Sequence, residues 1–114
     1  MVIRRADMQT EHREKMRGGQ GTISITNLVK PADVAHARLL ADIEIPPGAS
    51  IGEHEHGAET EYYIIHGGRA IVVDSGVERE VTAGDVVVTG GGASHSIRNA
   101  SDKPLRMIAL IITH

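Results

Sequence analysis

The sequence contains no cysteine among its 114 residues. That absence excludes disulfide bonds, a thiol nucleophile, zinc sites built on thiolates and iron–sulfur clusters, because each of them needs a cysteine sulfur. Phenylalanine and tryptophan are also absent, and the only aromatic residues besides histidine are Tyr62 and Tyr63. We therefore expect any pocket to be lined mainly by aliphatic side chains, and a ligand ring could stack only on one of these tyrosines.

Long apolar runs and an excess of positive charge are missing as well. No segment approaches the roughly 20 apolar residues that span a bilayer, and residues 1–10 lack the apolar stretch of a secretory signal. The formal net charge is −3, with both signs mixed along the chain, so no basic field attracts nucleic acid or an anionic membrane. We expect a cytoplasmic protein with neither of these partners.

What the sequence does contain is a series of short segments rich in Ile, Val and Thr, separated by glycine and proline. Residues 37–45 are typical, because Leu39, Ala41, Ile43 and Ile45 fall on one face and mostly polar residues on the other. Only residues 31–35 look helical. The pattern predicts strands over 22–29, 37–45, 60–66, 69–74, 77–82, 86–89, 94–99 and 105–113.

At least seven short strands with few helices predict an all-β sandwich or barrel. The length is enough for one hydrophobic core. We therefore predict a single β-barrel domain over residues 22–114, preceded by an irregular N-terminal arm over residues 1–21 that contains at most one helical turn. Within the arm, the glycine-rich residues 17–21 are interpreted as a flexible hinge for packing on a neighbouring subunit, or as a disordered tail.

The last predicted strand indicates an assembly of two chains. Residues 105–113 are apolar on both faces apart from Arg106, and a strand of this kind is usually covered on both sides. In a domain with one core, the second cover is another subunit. We therefore expect a homodimer.

Ionisable side chains are concentrated in residues 52–63, GEHEHGAETEYY. On a strand, His54 and His56 share a face at about 6–7 Å and can converge on one ion. Glu61 can re-enter the same space after a turn, and His95 is a fourth candidate on its own strand. Neutral imidazoles with one carboxylate suit Mn, Fe, Co, Ni or Zn rather than Ca or Mg. The alternative for a single His-x-His is a surface or core pair without metal.

Two stretches resemble the pair of motifs that mark the cupin superfamily. Residues 48–68 read G-x5-H-x-H-x4-E-x6-G, and residues 84–99 read G-x5-G-x-G-x2-H-x3-N. The family usually has proline where this chain has Gly90, a difference that affects a turn and not a ligand. The resemblance implies a small double-stranded β-helix, also called a jelly-roll barrel.

The resemblance also implies roles for individual residues. One divalent transition metal ion is expected as cofactor, with manganese preferred over iron, nickel, cobalt and zinc. The metal-ligand role falls to His54, His56, Glu61 and His95, and turn roles fall to Gly48, Gly68, Gly84, Gly92 and Asn99.

Other polar residues near the motifs have competing interpretations. Glu55 is expected to face outward, and Glu59 is interpreted as a loop carboxylate in preference to a proton carrier or a partner of a metal ligand. Tyr63 has the same parity as Glu61, which makes it a candidate for binding substrate, with plain packing as the alternative. His66 is interpreted as a solvated turn residue. His12, His36 and His114 have no partner at ligand spacing.

The resemblance extends to small cupins described as oxalate-binding, oxalate-decarboxylase-like or sugar-isomerase-like. We therefore expect the metal to chelate a small oxygenated ligand, either a short carboxylate such as oxalate or a sugar derivative. Cupin oxalate decarboxylases tend to carry arginine three residues before the first ligand histidine, where this chain has Ile51. We expect a pocket without a fixed cation, in which oxalate is chelated but not efficiently converted.

Two further function classes stay open at this point. One is an Fe(II)-dependent dioxygenase of a small enolisable substrate, which an apolar lining would suit because it limits the access of water. The other is a module that binds a small ligand without catalysis.

Overall fold

The computed structural model describes all 114 residues as ten β-strands and three short 3₁₀ turns. The turns are Arg5–Asp7, Met16–Gly18 and Pro31–Asp33, and no helix has the length and apolarity needed to cross a membrane. The strands are β1 (Gln9–Glu14), β2 (Thr22–Asn27), β3 (Ala37–Ile45), β4 (Ser50–Glu55), β5 (Glu59–Gly67), β6 (Arg69–Asp74), β7 (Val77–Thr82), β8 (Val86–Gly90), β9 (Ser94–Arg98) and β10 (Leu105–Thr113).

The strands form two antiparallel sheets. The larger sheet has the order β1-β2-β3-β10-β5-β8, and the smaller has the order β4-β9-β6-β7. From β3 to β10 the chain passes from one sheet to the other at every step except between β6 and β7, which is the arrangement of a jelly roll. The predicted all-β jelly roll is therefore confirmed, although strand pairing leaves two separate sheets and does not close them into one hydrogen-bonded barrel.

The core lies between the two sheets and is built from alternate residues of each strand. On β3, Ala41, Ile43 and Ile45 are buried, as the alternation predicts. Ile51 on β4 and Ile97 on β9 face them from the smaller sheet and are buried as well. Each of these isoleucine side chains stabilises the fold by about 1.5–3 kcal/mol when it is fully buried. The two packed inner faces give the polar residues between them a rigid support.

The prediction of an irregular arm over residues 1–21 is wrong in part. Residues 9–14 form β1, which pairs with β2 along its whole length. All six of its residues are exposed, so no alternation of apolar and polar residues marks the strand in the sequence. The strand exists because β2 offers an open edge, which is a tertiary effect. The boundary between arm and domain at residue 22 stays a prediction.

Residues 17–21 are tied to their own chain, so the disordered-tail interpretation is wrong. The backbone N–H of Gln20 donates to the Ser50 hydroxyl at 2.8 Å, and the N–H of Ser50 donates to the carbonyl of Gln20 at 2.9 Å. Gly19 and Gly52 let the two segments touch, since a Cβ on Gly52 would lie 2.0 Å from the Arg17 carbonyl oxygen. The arm is thereby fixed against β4, the strand that carries the first motif.

The outward face of the larger sheet is unusually apolar. Ile108 on β10 lies beside Ile64 on β5, and Ile64 in turn pairs with Val86 on β8. Leu110 is half-buried on the same side, and Val88 is 53% exposed. The chain itself leaves this face uncovered, as the doubly apolar sequence of the last strand predicts.

Candidate metal centre

Four polar side chains meet in the space between the sheets. His54 on β4 and His95 on β9 are cross-strand partners, His56 follows the end of β4, and Glu61 lies on β5 of the opposite sheet. His56, Glu61 and His95 are buried, and His54 is half-buried. The structure therefore brings together all four residues that the motifs predicted as ligands.

An irregularity in β4 decides which of its side chains point inward. Ile51 and His54 both line the same cavity, although a regular strand would place residues three apart on opposite faces. The register of β4 against β9 shifts between these two residues. Because of this shift, the side chain of His54 points into the cavity on the same side as that of Ile51. Glu53 and Glu55 are exposed, so the expectation that Glu55 faces outward is confirmed.

The four candidate ligand atoms are closely spaced. Nε2 of His95 lies 2.9 Å from Nε2 of His54 and 3.1 Å from Nε2 of His56. Oε1 of Glu61 lies 2.9 Å from Nε2 of both His56 and His95, and 3.6 Å from Nε2 of His54. In an octahedral complex with bonds of about 2.1 Å, adjacent ligand atoms are about 3.0 Å apart. The four distances of 2.9–3.1 Å fit adjacent positions around one transition-metal ion, and the longer distance between His54 and Glu61 places these two farther apart in the same shell.

Hydrogen bonds on the far side of each ring determine which nitrogen faces the centre. Nδ1 of His54 lies 2.8 Å from the carbonyl of Gly52, and Nδ1 of His56 lies 2.6 Å from the carboxylate of Glu59. Both oxygens can only accept, so each Nδ1 carries the proton and each Nε2 presents a lone pair. Nδ1 of His95 lies 2.8 Å from the Thr89 hydroxyl. Such partners orient the imidazole rings at metal sites in general.

A buried carboxylate oxygen points to a cation at the centre. Oε1 of Glu61 is buried without a hydrogen-bond partner, because the nitrogens of His54 and His56 turn lone pairs toward it. Burial raises the pKa of Glu61, and the neighbouring histidines lower it to about 2 only when they donate protons or carry charge toward it. When their lone pairs face the carboxylate instead, a cation is needed to keep it ionised. A buried anion that faces only lone pairs is costly, and a divalent ion would supply the missing opposite charge.

Burial also favours the ligating form of His95. Desolvation by the surrounding protein is the main effect that lowers the pKa of this imidazole from its ordinary value. The neutral ring therefore stays the predominant form at lower pH than it would for an exposed histidine. Only neutral imidazole binds a metal. The donor set of three imidazoles and one carboxylate therefore fits a divalent transition metal.

Glu59 corrects the sequence interpretation. The sequence pattern indicates a loop carboxylate, yet Glu59 begins β5 and accepts hydrogen bonds from both His56 and Arg38. Arg38 donates through Nε and Nη2 to the two carboxylate oxygens, at 2.7 Å each. This ion pair lowers the pKa of Glu59 to about 2, so the group remains an acceptor for His56 at neutral pH. Strand parity gave no sign of this contact, because Arg38 lies on a distant strand.

Tyr63 packs flat against one of the candidate ligands. Its ring is parallel to that of His95 within 9°, with ring centroids 4.7 Å apart, and it is buried. Burial raises the pKa of the phenol well above its ordinary value, and the charge of Glu61 adds to the effect. The phenol therefore keeps its proton. Tyr63 also lines the cavity beside the cluster, and its role in substrate binding stays a prediction.

The cavity next to the cluster has a volume of about 180 Å³. Its lining includes aliphatic side chains such as Ile51, but also Arg13, Arg17 and Arg38. The expectation of a pocket without a fixed cation is therefore wrong, and the expected aliphatic lining accounts for only part of the cavity wall. Two of these arginines come from the N-terminal arm, and the arm has no sequence signal that links it to the motifs.

The remaining histidines lie outside the cluster. His66 contacts Asp42 at 3.1 Å on the surface, His12 contacts Ser24 at 3.0 Å, and His114 contacts Thr60 at 2.8 Å. None of them reaches the candidate ligand set, as the sequence predicted. Thr89, in contrast, was missed, because a threonine on a strand carries no motif signal of its own.

Comparisons with known proteins agree with this geometry. The cupin domain family model matches residues 41–111. The chain is 40% identical, over 98% of its length and 93% of the relative, to the oxalate-binding protein of Thermotoga maritima. It superposes with a TM-score of 0.94 on a crystal structure described as a predicted oxalate decarboxylase from that organism, with 38% identity and full coverage of both chains.

A more distant structure supports the fold alone. The chain superposes with a TM-score of 0.78 on a sugar phosphate isomerase of the cupin superfamily from Silicibacter pomeroyi, at 15% identity, covering 100% of this chain and 76% of the other. With the family model matched over most of its strands, and with the motif residues gathered at one centre, the chain belongs to the cupin family.

Proposed function

We propose that the protein holds one divalent transition metal through His54, His56, Glu61 and His95, and that this metal chelates a short carboxylate such as oxalate. One observation carries the proposal: three imidazole lone pairs and an unpartnered carboxylate oxygen converge beside a cavity. A metal bound there supplies a Lewis acid and a template for bidentate chelation.

The size of the cavity favours a small ligand. A volume of about 180 Å³ corresponds to roughly six water molecules at about 30 Å³ each. Pockets for larger ligands run from about 300 to 1,000 Å³. A carboxylate of a few heavy atoms therefore fits better than a sugar derivative. The name of the Thermotoga maritima relative, an oxalate-binding protein, supports the same ligand class.

The protein's own residues bind and orient the ligand. Tyr63 keeps its proton because burial raises its pKa, and its position in the cavity lining lets the phenol donate either to Glu61 or to a ligand oxygen. The aliphatic side chains around the cavity, Ile51 among them, limit the number of waters that can compete for the metal. Glu59 holds the ring of His56 and through it the position of the metal.

We propose binding without rapid turnover, for a reason different from the missing arginine at position 51. Of the two carboxylates nearest the centre, Glu59 has a pKa lowered to about 2 by its hydrogen bond from Arg38, and Glu61 is ionised as a ligand of the metal. Neither carries a proton at neutral pH, and efficient general acid catalysis needs a pKa near the working pH. The dioxygenase alternative depended on an apolar lining, and the three arginines in the cavity weaken that support because only half of the lining residues are hydrophobic.

Metal analysis and calorimetry test the proposal. Protein purified without a nickel column and then loaded with manganese is expected to hold one ion per chain and to bind oxalate. Protein stripped with a chelator is the control and is expected to bind no oxalate. Oxalate affinity that survives complete metal removal contradicts the proposal, and rapid release of formate contradicts the absence of turnover.

A further inference from the structure

The cavity contains one positively charged side chain, that of Arg17, that no neighbouring carboxylate neutralises. The charged residues that line it are Glu11, Arg13, Arg17, Arg38 and Glu61. Arg13 pairs with Glu11 at 3.3 Å, and Arg38 is bound by Glu59 through two hydrogen bonds. Arg17 makes no ion pair and no side-chain hydrogen bond, so its guanidinium donors remain available to a ligand.

The backbone at Arg17 is held in an unusual conformation that keeps this side chain at the cavity. Its φ of 55° and ψ of 30° lie in the left-handed region, which residues other than glycine rarely adopt. The contact with β4 maintains this conformation, because the Arg17 carbonyl lies against Gly52. Gly52 also accepts the hydrogen bond from His54, so one residue positions both the arginine and a candidate metal ligand.

Charge counting indicates the class of ligand that this arrangement fits. A divalent ion and the Glu61 carboxylate leave one net positive charge, because neutral histidines add none. Arg17 adds a second positive charge on the same cavity, while the other two arginines are already compensated. A small dianion therefore matches the site better than a monoanion or a neutral ligand. A guanidinium also matches the paired oxygens of a carboxylate.

We infer that Arg17 is a specificity-determining residue that binds the second carboxylate of a metal-chelated dicarboxylate, an inference that rests on the proposed function. Arg17 and Tyr63 line the same cavity as the candidate ligands His54, His56 and Glu61. The N-terminal arm therefore completes the ligand site that the two motifs begin.

Calorimetry with two ligands on the manganese-loaded protein tests this role. Oxalate and glycolate both form a five-membered chelate ring, but glycolate has a neutral hydroxymethyl group in place of the second carboxylate. Arg17→Gln is expected to weaken oxalate binding about tenfold or more, and glycolate binding less than about threefold. Arg17→Lys keeps the charge without the planar fork and is expected to lie between wild type and Arg17→Gln.

Arg79→Gln is the matched control, since Arg79 is exposed on β7 and lines no part of the cavity. It removes the same charge and is expected to change both affinities less than about twofold. Arg17→Gly, which suits a left-handed backbone, must show the same loss of oxalate affinity as Arg17→Gln. Manganese content of all variants is expected to equal that of wild type.

The outcomes separate the two proposals. If the wild-type protein binds oxalate and Arg17→Gln binds it equally well, the role of Arg17 is wrong and the proposed function stands. If the manganese-loaded wild type binds neither acid, the proposed function is wrong and the role of Arg17 falls with it. Equal loss of oxalate and glycolate affinity in Arg17→Gln also overturns the assignment, because Arg17 then does not distinguish a ligand with a second carboxylate from one without it.

Discussion

The Nε2 atoms of His54 and His95 lie 2.9 Å apart, although 41 positions separate the two residues in the sequence. They face each other across the β4–β9 pair. The carbonyl of Gly52 holds the proton of His54 on Nδ1, so His54 directs a lone pair toward its partner. An ion shared between two such nitrogens makes the contact favourable, which is the basis of the first prediction.

Replacing one of the candidate ligands is expected to abolish stable metal binding. In His95→Ala or Glu61→Gln, manganese content after loading and desalting should fall below about a tenth of an equivalent per chain, because three remaining ligands bind much more weakly. His66→Ala is the control, as its ring contacts Asp42 at the surface. Elemental analysis decides, and a full equivalent of metal in both ligand variants would show that the metal lies elsewhere.

Removing the partner of His56 is expected to weaken metal binding without abolishing it. Glu59→Ala takes away the acceptor of Nδ1, so the ring loses both its orientation and part of its basicity. Manganese affinity should fall about 10–100-fold, while saturating metal still gives one ion per chain. Glu55→Ala, an exposed neighbour, should leave affinity unchanged. The prediction is wrong if competition titrations give the same affinity for both variants.

Acid is expected to destabilise the protein in two separate pH ranges. Burial lowers the pKa of His95 below its ordinary value of 6.5, so the unfolded chain binds a proton more readily than the folded one. The free energy of unfolding should therefore fall as pH drops below about 6.5. The hydrogen bond from Arg38 lowers the pKa of Glu59 from 4.5 to about 2. Its stabilising contribution is complete above 4.5 and is lost as pH falls toward about 2.

Thermal unfolding across this pH range, with and without manganese, checks these signs. Manganese should raise the Tm at neutral pH, and the difference should disappear as protons compete for the three imidazoles between about pH 7 and pH 5. A manganese-dependent rise that persists unchanged at about pH 4 contradicts histidine ligation.

Gly52 is expected to tolerate no side chain. A Cβ there would lie 2.0 Å from the carbonyl oxygen of Arg17, and the turn could not remain seated on β4. Gly52→Ala should lower the free energy of unfolding by about 1–3 kcal/mol. Gly57→Ala is the matched control, because a Cβ at Gly57 meets nothing within 4 Å. Denaturant unfolding of both variants is the measurement, and equal stabilities would show that the arm does not pack as described.

The apolar outer face of the larger sheet is expected to mediate a homodimer. Val88 and Val86 are each 53% exposed there, beside Ile64, and an uncovered apolar face of this kind marks an interaction site. Val88→Lys should convert a dimer into a monomer in sedimentation at micromolar concentration. Val77→Lys is the control, since Val77 is 51% exposed but lies on the smaller sheet. A monomeric wild type excludes the dimer.

The sequence by itself determined the fold class and the candidate ligands. Short segments rich in β-branched residues, bounded by turn residues, gave the bounds of β3, β6, β7 and β10, because glycine, proline and small polar residues end a strand where the chain turns. The spacing of the two motifs identified His54, His56, Glu61 and His95, which do meet at one centre. The strand segments are visible in consecutive residues, and the two motifs are shared by members of one family. Both can therefore be recognised from the sequence alone.

Only the tertiary structure decided what surrounds that centre. Strand β1 forms because it completes the edge beside β2, and the contact of Glu59 with Arg38 joins residues 21 positions apart. The charge of the cavity was mispredicted for the same reason, because Arg13 and Arg17 come from the N-terminal arm, far from the motifs in sequence. Contacts between distant segments depend on how the two sheets and the arm pack in space, and no local pattern of residues encodes that packing.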